Sequence, residues 1–129
     1  MRITLNNLRK AYKEGAGELC VIDNLSFEFE SASHNAIVGK SGIGKSTLLH
    51  LLGGLDKPTS GTVLFDSQDI FSLNDQALSN LRGESVGFVF QFHHLLPEFS
   101  ALENVAMPLL IAGRPDAQAE DAALGLLRE

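Results

Sequence analysis

One cysteine, Cys20, stands in a chain of 129 residues, so no internal disulfide and no cysteine-built zinc site is available. Stability has to come from packing. There is no tryptophan and one tyrosine, Tyr12. Val105 to Ala112 is the longest clean apolar stretch, and Pro108 interrupts it. It falls well short of the roughly 20 residues that span a bilayer. The start, Met1 to Asn7, has no sustained apolar segment and no small-residue cleavage site, so no export signal is readable and a cytosolic address is the default expectation. Basic residues are in the minority, ten against sixteen acidic, for a net charge of −6. That is the wrong sign for tracking a polyanion without a basic stripe, and Lys10, Lys13, Lys40, Lys45 and Lys57 are dispersed. No nucleic acid partner is expected.

Hydrophobic residues make up 44% and charged residues 20%, close to soluble globular averages. The length suits one domain, and no repeat or low-complexity linker divides the chain. Met1 to Leu8 and Leu25 to Glu30 alternate apolar and polar residues, which predicts half-buried antiparallel strands. Glu14 to Glu18 is turn chemistry leading into a strand near Leu19. Ala36-Ile37-Val38 reads as a strand before a glycine-rich turn. The helix after that turn carries Leu48, Leu49, Leu51 and Leu52 and ends at Gly53-Gly54. Thr62 to Phe65 is another short strand. Asn74 caps a helix that Arg82-Gly83 should stop, with Leu73, Ala77 and Leu81 on its apolar face. Val86 to Phe90 is apolar on both sides, as expected of a strand covered on both faces. Ser100-Ala101-Leu102-Glu103 has capping-box spacing, opening a helix that Pro108 should bend and Gly113 should close. Asp116 starts a last helix with Ala119, Ala123, Leu126 and Leu127 on its apolar face. The class is layered α/β. The uncapped end at Glu129 reads as a cut.

Gly39-Lys40-Ser41-Gly42-Ile43-Gly44-Lys45-Ser46 matches G-x-x-x-x-G-K-[ST], the phosphate-binding loop, between a predicted strand and a predicted helix. A chance match in a chain this long is on the order of half a percent, given background glycine of about 7%. That leaves little room for an accidental turn. Gly42 and Gly44 let the backbone curl with its N–H groups inward. The amides of Gly44 to Thr47 then meet an anion at a helix N-terminus. Lys45 can reach the β- and γ-phosphates, and the Ser46 hydroxyl can coordinate Mg²⁺.

Met1 to Val38 precedes this loop, room for an extra β layer that small GTPases and most nucleotide kinases lack there. No N-K-x-D guanine-reading motif occurs. With Tyr12 before a glycine turn, the loop Gly39 to Thr47, Pro58-Thr59-Ser60-Gly61 and Phe90-Gln91, the chain resembles the nucleotide-binding domain of ABC transporters. The resemblance implies a P-loop NTPase fold of ABC type. An N-terminal antiparallel β layer is joined to a partial parallel core sheet with helices, cut at the start of the helical subdomain, so that residues 1–129 form the N-terminal part of a single domain. It implies ATP and Mg²⁺ as cofactors, with Gly39, Lys40, Ser41, Gly42, Ile43, Gly44, Lys45, Ser46 and Thr47 on the phosphates. Tyr12 corresponds to the aromatic that stacks on adenine, with a tyrosine capping a strand end as the alternative. Gln91 corresponds to the glutamine that ligates Mg²⁺ beside Ser46. Lys40, where a small residue is common, is either an extra phosphate-facing charge or solvated.

Gln91 to Leu110, together with Leu49 to Asp56, is similar to the ATPase subunits of bacterial lipoprotein-releasing (Lol) systems within that family. Macrolide-exporter and cell-division ABC ATPases share the general pattern and differ around Phe92 to Glu98. The resemblance implies transmembrane subunits and a second nucleotide-binding subunit as partners, on the cytoplasmic face of the inner membrane. Phe92, Leu95 and Phe99 then either meet the membrane subunits or pack in the core. Adjacent His93 and His94 lack a partner at ligand spacing, so docking is expected there rather than zinc. No L-S-G-G-Q signature, no apolar run ending in Asp-Glu and no later γ-phosphate histidine occurs. No catalytic residue is therefore expected in this chain, and turnover by it alone is not expected. A non-catalytic interaction module is the competing reading. In the family, strands beyond Glu129 lie between the Ala36 to Val38 strand and the Val86 to Phe90 strand, so an unpaired edge and poor cooperative folding are expected of the isolated chain.

Overall fold

The structure, a computed structural model, describes residues 1–128, and Glu129, the last residue of the expected N-terminal part, lies outside the described residues. Two compact units divide the chain, Met1–Glu84 and Ser85–Glu129.

The first unit is built on one long hairpin, β1 Ile3–Glu14 and β2 Gly17–Phe29. Glu14 pairs with Gly17, so Gly15 and Ala16 form the turn, with Gly15 at φ +57°. The predicted strands on either side of this turn are thus continuous: ladder hydrogen bonds carry the strands through the polar stretch where alternation fades. Register shifts between Leu5 and Ala11 kink the pair, and Asn7 takes a positive φ of 46° with its N–H donating to Ser26 Oγ at 2.8 Å. β3 Ser60–Phe65 pairs antiparallel with the other edge of β1, and the two-residue β4, Gln68–Asp69, completes the order β2-β1-β3-β4. Leu5, Leu8, Val63 and Phe65 alternate inward from this sheet and are buried with Leu51, Ile70 and Leu78. Burial of each such side chain contributes about 1.5–3 kcal/mol.

α1 Lys45–Leu52 follows the glycine loop and ends at Gly53-Gly54, as expected: Gly53 N–H donates to Leu49 O at 3.0 Å and Gly54 takes φ +67°. α2 Asp75–Ser85 starts under the Asn74 side chain, which accepts from Ala77 N–H at 2.9 Å. It does not stop at Arg82-Gly83. Arg82 reaches sideways to Gly54 O at 2.8 Å, and Gly83 faces open space, so nothing there terminates the helix. Its buried residue is Leu78, packed over Gly54, with Leu73, Ala77 and Leu81 half-buried around it.

The second unit is a pair of helices, α3 Ala101–Ile111 and α4 Asp116–Leu127. The Ser100 capping box is complete: the Ser100 hydroxyl accepts from Glu103 N–H, while Ser100 N–H donates to Glu103 Oε2 at 2.7 Å. Donation from the Ser100 hydroxyl, then from its N–H, holds the Glu103 carboxyl below its ordinary pKa. α3 continues through Pro108 and closes at Gly113, φ +77°, whose N–H donates to Leu110 O. Ala106, Ala119 and Ala123 form the buried seam, flanked by Leu102, Val105, Leu109 and Leu110. Leu126 and Leu127, expected on the same apolar face as Ala119 and Ala123, are instead exposed. Small alanines bring the helices close, and the bulkier leucines fall off that line.

The predicted parallel core sheet is not formed among the described residues. Ala36 to Val38 and Val86 to Phe90 carry no strand, and Val38 and Val89 are exposed. An apolar run becomes a covered strand only when neighbours supply ladder bonds on both edges, and no described segment does so.

Gly61 opens β3 at φ +83°, and a Cβ there would sit 2.4 Å from Asn7 O and 2.6 Å from Asn6 O. Both neighbours are backbone and cannot yield cheaply. Gly61→Ala is expected to cost about 2–4 kcal/mol. The urea midpoint of the variant against the parent checks it, and an unchanged midpoint would refute the close approach.

Candidate phosphate loop and aromatic platform

The loop Gly39 to Gly44 turns the chain from the segment after β2 into α1. Two of its glycines take φ values that L side chains disfavour, Gly42 at +78° and Gly44 at +104°. Gly44 is also where the loop presses on the hairpin: a Cβ would meet Val21 Cγ1 at 2.6 Å and Val21 O at 3.3 Å. Only a glycine fits both the dihedral and the approach. Gly39 is tight for a different reason, a Cβ there lying 3.0 Å from Ile43 Cγ2 across the loop.

Gly44 is the N-cap of α1 and gives it no side-chain cap, and the first turn has no acidic residue. The helical ladder begins with Leu48 N–H to Gly44 O at 2.9 Å, so the amides of Lys45, Ser46 and Thr47 precede it. These orphan donors and the positive end of the helix dipole fit an anion. The Lys45 ammonium spans the loop, donating to Gly39 O at 2.9 Å and Lys40 O at 2.7 Å. A cation and three helix amides thus stand together on a loop that needs glycine at Gly44. That donor set fits a polyphosphate. Lys40, Ser41 and Ile43 are exposed in the loop, and Ser46 is exposed in the first turn of α1. A hydroxyl oxygen of this kind fits Mg²⁺, which takes hard oxygen ligands.

Tyr12 lies near the end of β1 and is 41% exposed. It does more than cap a strand end. Its hydroxyl donates to Asp56 Oδ2 at 2.9 Å, and the Lys10 ammonium stands 4.7 Å from its ring centroid. Lys10 Nζ in turn donates to Asp56 Oδ1 at 2.6 Å and to Lys57 O at 2.7 Å. The segment carrying Asp56 follows α1 and is stitched to β1 by Thr59 N–H to Arg9 O at 2.8 Å and Ala11 N–H to Thr59 Oγ1 at 2.9 Å. One helix thus carries the phosphate loop at its start and the partner of Tyr12 just after its end. The hairpin register brings the two together: Gly44 abuts Val21 and Ile22, and Ile22 pairs with Lys10.

Gln91 belongs to the other unit, where it is exposed just after the Val86 to Phe90 segment. Phe92, Leu95 and Phe99 are exposed as well, 70%, 66% and 42%, among the described residues. Asn104 holds this segment, accepting from Leu96 N–H at 2.8 Å and donating to Phe99 O and Ser100 O at 3.0 Å. His94 meets Phe90 edge-on at 4.9 Å. Lys10 and Asp56 were not among the sequence candidates. Lys10 was legible in principle, since residues two apart on a strand share a face. Nothing local marks Asp56.

The ABC transporter family model matches residues 22–128, a span that includes the glycine loop and α1. The chain belongs to the ABC transporter family, as an ATP-binding domain with the ABC-type P-loop NTPase fold. It is similar to the ATP-binding cassette MJ0796 in a dimeric post-hydrolysis structure bound to ADP and Pi, with 36% identity and a TM-score of 0.90. It is similar as well to a dimeric structure of MJ0796 described as a bacterial ABC transporter cassette, at 37% identity and a TM-score of 0.90. Each match covers 98% of this chain and 56% of the solved chain. No helix among the described residues is long and apolar enough to cross a membrane.

Partial burial pushes the Asp56 carboxyl up, but donation from Lys10 and Tyr12, the charge of Lys10 and the Lys57 N–H outweigh it and hold the carboxyl below its ordinary value. A carboxyl depressed in the folded state stabilises fully above its unfolded pKa of about 3.9, and that contribution is lost as pH falls through the lower folded value. Asp56→Asn is therefore expected to lower the urea midpoint at neutral pH, with the gap to the parent closing as pH drops below about 3.9. A gap that stays constant with pH would remove the ion pair as its origin.

Proposed function

We propose that this chain binds Mg²⁺-ATP as the N-terminal part, residues 1–129, of a single ABC transporter nucleotide-binding domain. The observation that carries the reading is the convergence of the Lys45 ammonium and the amides at the start of α1 on a loop whose Gly44 admits no side chain. The residues proposed on the nucleotide are Gly39, Lys40, Ser41, Gly42, Ile43, Gly44, Lys45, Ser46 and Thr47 for the phosphates and Tyr12 for the base, with Ser46 and Gln91 holding Mg²⁺. When bound, the metal would neutralise the β- and γ-oxygens. Lys45 adds a second positive charge, the helix amides hold the oxygens, and the exposed Tyr12 face offers a stacking surface. The signature, the Asp-Glu pair and the later histidine do not occur in these residues, so turnover is not assigned to them.

The same reading extends to the whole transporter. We infer transmembrane subunits and a second nucleotide-binding subunit as partners, at the cytoplasmic face of the bacterial inner membrane, with lipoprotein release as the task. Exposed Phe92, Leu95 and Phe99 favour contact with the membrane subunits. The Gln91 to Leu110 segment supports the lipoprotein-releasing group over the macrolide-exporter and cell-division groups. Co-purification with lipoprotein-releasing membrane subunits, lost in a Phe92→Ser/Leu95→Ser variant, tests that finer assignment.

Isothermal titration with Mg²⁺-ATP tests the core of the proposal. Lys45→Ala removes charge-assisted bonds of about 1.5–3 kcal/mol each, so ATP is expected to bind at least about tenfold more weakly. Chelating Mg²⁺ is expected to weaken ATP binding by the parent. An ATP isotherm indifferent to Lys45→Ala would sink the assignment.

A further inference from the structure

We propose that Lys10 and Asp56 are positioning residues for the nucleotide base: together they lock the Tyr12 ring, closing one face with the Lys10 ammonium and presenting the other to a purine. The inference rests on the reading of Tyr12 as the base platform, and its test separates the two.

A tyrosine near a strand end, 41% exposed, ordinarily turns freely about its side-chain torsions. Stacking a base on such a ring costs the entropy of fixing it first. Here it is fixed in advance at two separate points. The hydroxyl is tied to Asp56 Oδ2 at 2.9 Å, and the ring lies against Lys10 Nζ at 4.7 Å. Two anchors on different parts of one ring restrict both of its rotations. The anchors are themselves fixed. Lys10 is buried, 9% exposed, and its three N–H donors are matched by a carboxylate, a backbone carbonyl and a π-face. Asp56 also accepts from Lys57 N–H at 2.8 Å, so its carboxylate does not swing.

Burying a lysine is expensive when its charge is spent on structure alone, and an apolar residue would pack β1 against the segment after α1 at lower cost. The cation gains a second effect where it stands. Ammonium on one face of the tyrosine draws π-density toward it, which leaves the opposite face better matched to an electron-rich purine. With all its donors engaged, Lys10 does not reach for phosphate. Its effect is therefore on the base and not on the triphosphate tail.

That separation defines the experiment. Dissociation constants for ATP and for inorganic tripolyphosphate, both with Mg²⁺, are measured on the full chain and on Tyr12→Ala, Lys10→Met, Lys10→Arg and Asp56→Asn. Lys10→Met and Asp56→Asn are expected to weaken ATP about fivefold and to leave tripolyphosphate unchanged, with Lys10→Arg close to the parent. Unchanged tripolyphosphate binding also certifies that the variants fold. Tyr12 is the one tyrosine and there is no tryptophan, so intrinsic emission reports on this ring alone. Asp56→Asn is expected to raise that emission by removing the carboxylate from the hydroxyl, and to diminish its quenching by ATP. Equal weakening of both ligands would reduce the pair to a structural brace and overturn the proposal. So would unchanged ATP affinity in both variants where Tyr12→Ala weakens it. If Tyr12→Ala itself spares ATP, the platform reading falls, and the positioning role falls with it.

Discussion

The approach of Gly44 to β2 is the constraint on which the first unit depends. A backbone at φ +104° lies against Val21 closely enough that no Cβ fits, and this contact seats the start of α1 on the hairpin. From it follow the orientation of the helix dipole, the convergence of the amides of Lys45, Ser46 and Thr47, and the span of the Lys45 ammonium over the loop carbonyls. A bulkier residue would push the loop off the sheet and scatter groups that act only together. The requirement is steric first and electrostatic second: the glycine makes room, and the unpaired amides give that room its preference for an anion.

The other end of α1 is fixed by a different kind of force. The segment after the helix is drawn onto β1 by backbone hydrogen bonds from Thr59 and Ala11 and by the Lys10 to Asp56 ion pair. α1, a short helix of about 12 Å, is thus held at both ends. The groups proposed for phosphate and base are therefore set by the sheet rather than by flexible side chains.

The second unit has another logic. Its two helices meet on alanines, and the segment before them is stapled by Asn104 and the Ser100 capping box while its phenylalanines and leucines face outward. Polar bonds hold the backbone of that segment so that the apolar side chains are free to meet something else.

The phosphate loop, the helix that follows it, the glycine stops at Gly53-Gly54 and Gly113 and the Ser100 cap were all legible in the chain. Each is a local pattern in which neighbouring residues satisfy one another's backbone groups, and local chemistry is written in local order. The strand status of Ala36 to Val38 and Val86 to Phe90 was not legible, because an apolar run acquires ladder bonds only from neighbours elsewhere in the chain. Nor was the passage of α2 beyond Arg82-Gly83 to Ser85, where Arg82 bonds to Gly54 O across the chain. The role of Asp56 was decided by tertiary structure alone. A carboxylate 44 residues from Tyr12 becomes its hydrogen-bond partner only after α1 has turned the chain back onto β1.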